Sequence, residues 1–144
     1  MSISSSIKEE ISLKKFKEKV INDFRTVSLS RETSVQGRRE VLLGKGKFGI
    51  FGDGKELPQV VMSHFFKDGD YRSGYYRDQT LLMSQNLLSA REIFSAVYGH
   101  PDKVYEKMSG GRQMAGHFLT NTIDENNNWI DQTKQKNHIS DISP

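Results

Sequence analysis

The chain has 144 residues, 35% of them hydrophobic, a formal net charge of +3 and no cysteine. That length suits one domain, and the missing cysteines exclude disulfides, thiolate metal sites and cysteine nucleophiles. No run approaches the ~18 consecutive apolar residues of a membrane helix.

Met1–Ser6 lacks the basic region and apolar run of a secretory leader, so none is expected and a cytoplasmic setting is the simplest reading. The charge is uneven: up to Lys47 there are eleven basic residues against six acidic ones, a net of +5. Such a stretch can bind nucleic acid or an acidic partner. Glu10 and Glu18, interleaved with Lys14, Lys15, Lys17 and Lys19, favour a solvated helix face instead. Nucleic acid is not an expected partner.

Ser6 and Glu9 have capping-box spacing, which predicts a helix start. Leu13, Phe16, Val20, Phe24 and Val27 then recur in steps of three or four, one face of an α-helix. Residues 1–29 therefore read as an amphipathic helix. Helical propensity continues to Leu43, and Gly44-Lys45-Gly46 ends it. Phe48, Gly49 and Ile50 read as a short strand, and Gly52-Asp53-Gly54 as a turn. Pro58 suits the first turn of a helix through Val60, Val61, Met62 and Phe65, broken by Lys67-Asp68-Gly69-Asp70. A leucine-rich helix is expected from about Gln79 to Leu88. Ser89 and Glu92 form a second capping box, opening a helix that buries Ile93, Phe94 and Val97; Gly99 and Pro101 stop it. From Ser109 onward the chain reads as loop. His138 to Pro144 brings no closing helix or polar tail, so the expectation is a fragment of a longer chain.

Several phosphate and metal patterns fail on context. Gly44, Gly46 and Gly49 match G-x-G-x-x-G but precede a strand, whereas phosphate binding needs the glycines between strand and helix. Gly49 to Lys55 matches a P-loop, yet Glu56 stands where a hydroxyl should meet magnesium, and a carboxylate there repels phosphate. Gly52-Asp53-Gly54 with Asn126 and Asn128 is too widely spaced for a magnesium–diphosphate motif. His64, His100, His117 and His138 have no metal-ligand spacing. No serine sits in G-x-S-x-G.

Two clusters remain. Tyr71-Arg72-Ser73-Gly74-Tyr75-Tyr76-Arg77-Asp78 packs three phenols and two guanidiniums into eight residues. Arginine forks two donors onto phosphate oxygens and phenols add neutral donors. A helix starting after Asp78 would add a positive dipole end. The alternative is a loop in which the tyrosines pack and Arg77 pairs with Asp78 or Asp70. The second cluster, Ser109-Gly110-Gly111-Arg112-Gln113-Met114-Ala115-Gly116-His117-Phe118, flanks Arg112 and His117 with glycines that allow close backbone approach to a ligand, or forms an ordinary surface loop.

Tyr75 to Gln79 and Gly110 to Phe118, preceded by Gly49-Ile-Phe-Gly-Asp-Gly-Lys-Glu-Leu-Pro-Gln59, together resemble the alpha part of thiamine-diphosphate-dependent 2-oxo acid dehydrogenases. These are the decarboxylating components of the pyruvate and branched-chain 2-oxo acid dehydrogenase complexes. The resemblance runs from about Ser30 to Pro144 and is closest to forms with fused alpha and beta parts. It implies an α/β fold, the N-terminal portion of a three-layer thiamine-diphosphate-binding fold, mostly helical here with short strands. Residues 30–144 would be an incomplete part of that domain.

It further implies that Tyr75, Tyr76, Arg77 and Ser143 bind the cofactor, while Arg112 and His117 lie near the substrate entrance. Magnesium ligands and catalytic groups are expected outside this chain. The implied partners are the beta part, the lipoyl acyltransferase core and an alpha2-beta2 assembly, with no membrane. The family's commoner Gly-Gln-Glu-Ala is here Gly54-Lys55-Glu56-Leu57, which leaves the 2-oxo acid open. The alternatives from other classes are a small non-catalytic anion- or nucleic-acid-binding module and a bare assembly segment docking through its first helix.

Overall fold

The computed structural model describes residues 12–141. The Ser6/Glu9 capping box and Ser143 lie outside the described residues. The described chain is a mixed α/β structure of four α-helices, one 3-10 turn and a three-stranded sheet. Among the described residues no helix is long and apolar enough to cross a membrane.

Helix α1, Leu13–Leu42, begins where the Ser12 hydroxyl accepts the Lys15 N–H at 3.4 Å. It spans 30 residues without a break at position 30. Leu43 and Gly44 close it, Gly44 turning into the left-handed region at φ 73°. Its buried residues are Ser30, Thr33, Ser34 and Gly37, whereas Leu13, Phe16, Val20 and Phe24 stay exposed. The helix thus docks on its small polar face. Gly37 makes that approach possible, because a Cβ there would strike the Phe51 ring.

Phe48, Gly49 and Ile50 form no strand, correcting the expected short strand. Packing holds this segment instead: a Cβ on Gly46 would meet Val97, and one on Gly49 would meet Phe51. Gly52–Gly54 is the expected turn, with Lys55 N–H bonded to Gly52 O at 3.2 Å. Helix α2, Glu56–Ser63, starts two residues before Pro58. It lies antiparallel to α1, since Arg31 grips Glu56 at 2.6 and 2.7 Å while Asp23 meets His64 at 3.0 Å.

Strand β1, Tyr71–Tyr75, leads directly into the site turn and helix α3, Gln79–Ser84. Helix α4, Ala90–Val97, carries the predicted capping box in full, Ser89 and Glu92 each satisfying the other's backbone N–H. The apolar core lies beneath it: Phe51, Met83, Ile93, Val97 and Ala115, flanked by Val41, Leu88, Ala90 and Ala96.

The tail from Ser109, expected to be loop, contains β2 (Phe118–Leu119), a 3-10 turn (Gln132–Lys134) and β3 (Asn137–Asp141). Strand order is β1-β3-β2. β3 runs parallel to β1, Tyr71 opposite Asn137 and Ser73 opposite Ile139, and antiparallel to β2. A parallel partner so distant in sequence leaves no local turn signal. β3 also reverses the usual alternation: Asn137, His138 and Ser140 are buried while Ile139 is exposed.

Candidate functional site

The turn Tyr75-Tyr76-Arg77 is fixed from four directions. At its base the Asp78 N–H donates to Tyr75 O at 2.9 Å. The Asp78 carboxylate is buried and accepts from Tyr75 N–H at 2.9 Å and from Arg72 Nη2 at 2.6 Å. It therefore ties the turn back to β1. On the α2 side, Gln59 Nε2 donates to Arg77 O at 2.9 Å while Gln59 Oε1 accepts the Leu81 N–H at 3.0 Å. The other two sides are backbone contacts that require glycine: a Cβ at Gly52 would strike Arg77 O, and one at Gly116 would strike Tyr76 O. All three segments that carry the family resemblance meet at this turn.

The side chains it presents form a compact donor group. Tyr75 donates its hydroxyl to the Tyr76 oxygen at 2.6 Å, with ring centroids 3.9 Å apart. The Arg77 guanidinium carbon lies 5.9 and 5.4 Å from the Tyr75 and Tyr76 centroids, within cation–π range. Accepting the Tyr75 hydrogen, with Arg77 close by, holds the Tyr76 phenol below its ordinary value; donating holds Tyr75 above it. Among the described residues Arg77 pairs with no carboxylate, and its buried Nε has no partner. The expected alternative in which Arg77 is neutralised by Asp78 is not what the turn does. Arg72 occupies that carboxylate.

The space behind Tyr76, between Phe51, Gln79 and Gly116, is about 10 Å³, room for about one water molecule. A larger ligand must approach from the outer side. There the site offers one guanidinium and two phenol oxygens, a set suited to a phosphate oxygen cluster. α3 adds little: it has six residues, and the Asp78 carboxylate already stands at its start.

The second cluster is a separately braced loop. Glu106 is buried, and its carboxylate accepts N–H bonds from Met108 (3.1 Å), Ser109 (2.7 Å) and Gly111 (2.9 Å) plus the Ser109 hydroxyl at 2.8 Å. Burial pushes this carboxyl up, but those donors outweigh it and hold the acid below its usual range. Gly111, at φ 75°, packs against Gly99, where a side chain would not fit.

The loop sends its two candidates apart. Arg112 is exposed and lines a cleft of about 270 Å³ with Lys47, Phe48, Tyr98 and Met114. His117 is half-buried beside Glu92, Glu106 and Phe118, its Nδ1 without a partner among the described residues. Between them, Gly116 touches the Tyr76 turn. Among the described residues no three His, Asp or Glu side chains gather as a metal centre would require.

Gln59, Arg72 and Asp78 position the turn; sequence reading placed Arg72 and Asp78 in the cluster but did not assign them this role, and assigned none to Gln59. Gln59 is the fourth residue of α2, and no motif marks it; its role shows only in its bonds to Arg77 O and Leu81 N–H. Compared with known proteins, the chain matches no family model, no curated protein and no solved structure.

Proposed function

We propose that the Tyr75-Tyr76-Arg77 turn grips the diphosphate of thiamine diphosphate, and that the chain is part of the alpha portion of a 2-oxo acid dehydrogenase. One observation supports this most: the half-buried Arg77 stands beside two phenols on a fixed turn, with no carboxylate among the described residues to neutralise it. A charge so placed, on a turn locked by Gln59, Asp78 and two glycine contacts, is organised for an anion before any arrives. Arg77 would fork onto diphosphate oxygens, Tyr76, which accepts the Tyr75 hydrogen, would add its own hydroxyl as donor, Tyr75 would hold it there, and Gly52 and Gly116 would keep the turn in place.

In this reading the fold is the N-terminal portion of the three-layer thiamine-diphosphate fold, and the enzyme works in the cytoplasm. The bound cofactor supplies the electron sink for decarboxylation, and the acyl group passes to a lipoyl arm of the acyltransferase core. This chain's residues bind and orient; none performs the carbon chemistry. The beta part, in an alpha2-beta2 assembly, and magnesium ligands outside this chain complete the centre. Ser143 would join the cofactor shell, with Arg112 and His117 nearer the substrate entrance.

Calorimetric titration of the full chain tests the reading. Thiamine diphosphate and inorganic pyrophosphate should both bind and thiamine should not, because the turn contacts only the anionic end. Arg77→Ala should weaken both at least tenfold, and Tyr76→Phe a few-fold. Equal affinity in Arg77→Ala, or no heat with pyrophosphate, would sink it. Decarboxylation of a 2-oxo acid by the chain unaided would overturn the division of labour with the beta part.

A further inference from the structure

Away from the Tyr-Arg turn, two chain segments close on the last turn of α4, and glycine lets both come near. Gly46 passes so close to Val97 that a Cβ would strike it, and Gly111 passes as close to Gly99 and His100. The residues after each glycine, Lys47-Phe48 and Arg112-Gln113-Met114, line one cleft of about 270 Å³ together with Val97, Tyr98 and Gly99. That volume is near the lower end of the ~300–1,000 Å³ range of small-molecule sites. The walls are held before any ligand arrives. Tyr98 donates its hydroxyl to Glu40 Oε2 at 3.0 Å, and its ring stacks on Phe94 at 6.1 Å between centroids. The N–H groups of Arg112 and Gln113 both donate to Ser109 Oγ at 2.9 Å, and that hydroxyl donates in turn to the buried Glu106.

Residues 40–48 and 90–114, the segments around the cleft, carry six cations and four carboxylates. Each carboxylate is already engaged. Glu40 meets Lys45 at 3.5 Å and Tyr98, Glu92 meets Lys107 at 2.7 Å, Asp102 accepts the Val104 N–H at 2.8 Å, and Glu106 accepts the donors of its own loop. None of the four lines the cleft. Lys47 and Arg112 do line it, and neither forms an ion pair among the described residues. Phe48, Tyr98 and Met114 beside them are 47–51% exposed. Two rings and a thioether suit the face or edge of an aromatic ligand. The planar fork of Arg112 matches a planar carboxylate, and Lys47 adds a second positive charge.

We propose that this cleft binds a small aromatic carboxylate, its ring among Phe48, Tyr98 and Met114 and its charged head on Arg112 and Lys47. The inference rests on these residues alone, independent of the diphosphate reading. Calorimetric titration of the full chain with 2-naphthoate, with its neutral counterpart 2-naphthamide and with acetate tests it.

Naphthoate should bind at one site. Naphthamide, which lacks the charge, and acetate, which lacks the rings, should each bind at least tenfold more weakly. Lys47→Gln with Arg112→Gln should lower naphthoate affinity at least tenfold while the thermal transition holds, since both side chains are exposed. Lys47→Glu with Arg112→Glu should turn the preference toward the cationic 2-naphthylmethylamine. Equal binding of naphthoate and naphthamide would overturn the proposal, as would acetate binding as tightly as naphthoate. So would an affinity unmoved by the Lys47→Gln/Arg112→Gln pair, or no saturable binding of naphthoate at all.

Discussion

Two interiors hold this chain together, and they are built on opposite principles. Under α4, Phe51, Met83, Ile93, Val97 and Ala115 close an ordinary apolar core. Between α1 and α3 and under the sheet, polar groups are buried alongside Leu81 and Leu82. Gln79 Nε2 bridges Ser30 O (3.0 Å), Ser30 Oγ (3.0 Å) and Ser34 Oγ (2.7 Å), while Ser30 Oγ and Thr80 Oγ1 are 2.6 Å apart. Further along, Arg72, Asp78, His138 and Ser140 share the space under β1 and β3. The apolar core tolerates any shape that fills it, whereas the polar interior is stable only if each donor meets its acceptor. That second, directional interior is the one carrying the Tyr75–Arg77 turn.

The sharpest break in this comparison is Ile93→Ala. Ile93 is buried against four core neighbours, so truncation loses transfer energy and leaves a cavity, about 3 kcal/mol. The urea midpoint should fall with the slope unchanged; a smaller loss than that of the polar variant below would reverse the ranking of the two interiors.

Gln79→Leu should cost slightly less, about 2 kcal/mol, because it strands the Ser34 hydroxyl and the Ser30 carbonyl side of α1. Adding Ser34→Ala to Gln79→Leu should recover about 1 kcal/mol, since it removes the hydroxyl that Gln79→Leu strands, while Ser30 stays as the partner of the buried Thr80 hydroxyl. Strict additivity in that cycle would mean the bonds seen across the interface contribute no coupling.

The same division explains what could be read ahead of the structure. The α4 helix, its capping box, its Gly99 stop and the burial of Ile93 and Val97 followed from spacing, because there the apolar face is the buried one, although Phe94, also expected inside, is only half-buried. α1 was legible as a helix but its docking side was not: Phe16, Val20 and Phe24 mark a stripe, yet Ser30, Thr33, Ser34 and Gly37 make the contact. β3 left no periodic trace for the same reason, burying His138 and exposing Ile139. At the site, clustering of phenols and guanidiniums pointed to Tyr75–Arg77. Which arginine would remain without an acid depended on Asp78 turning back to Tyr75 N–H and Arg72, a matter of β1 geometry that residue types alone do not contain.

His138 supplies the gentlest test, because it asks only how the polar interior responds to protons. Its ring is fully buried between Gly74 and Phe118; Nε2 lies 2.9 Å from Ser140 Oγ and Nδ1 has no partner among the described residues. Burial pulls its pKa from the ordinary 6.5 to about 4, with Asp78 nearby opposing the shift and Arg72 adding to it. The folded imidazole is therefore neutral where the unfolded one takes up a proton. Its contribution is complete above the unfolded value, shrinks as pH falls below 6.5, and changes no further once pH drops under the folded value near 4. From pH 7.5 to pH 5 that amounts to about 2 kcal/mol of lost stability. Glu56 and Glu106, both held below the usual carboxylate range, stay ionised in the folded chain across that window. Unfolding free energies of the chain and of His138→Gln across it should therefore diverge, the chain sloping and the variant nearly flat, whatever offset the substitution itself brings. Parallel curves would mean the ring meets water in the folded state, and the interior beneath β1 and β3 would then be no barrier to protons.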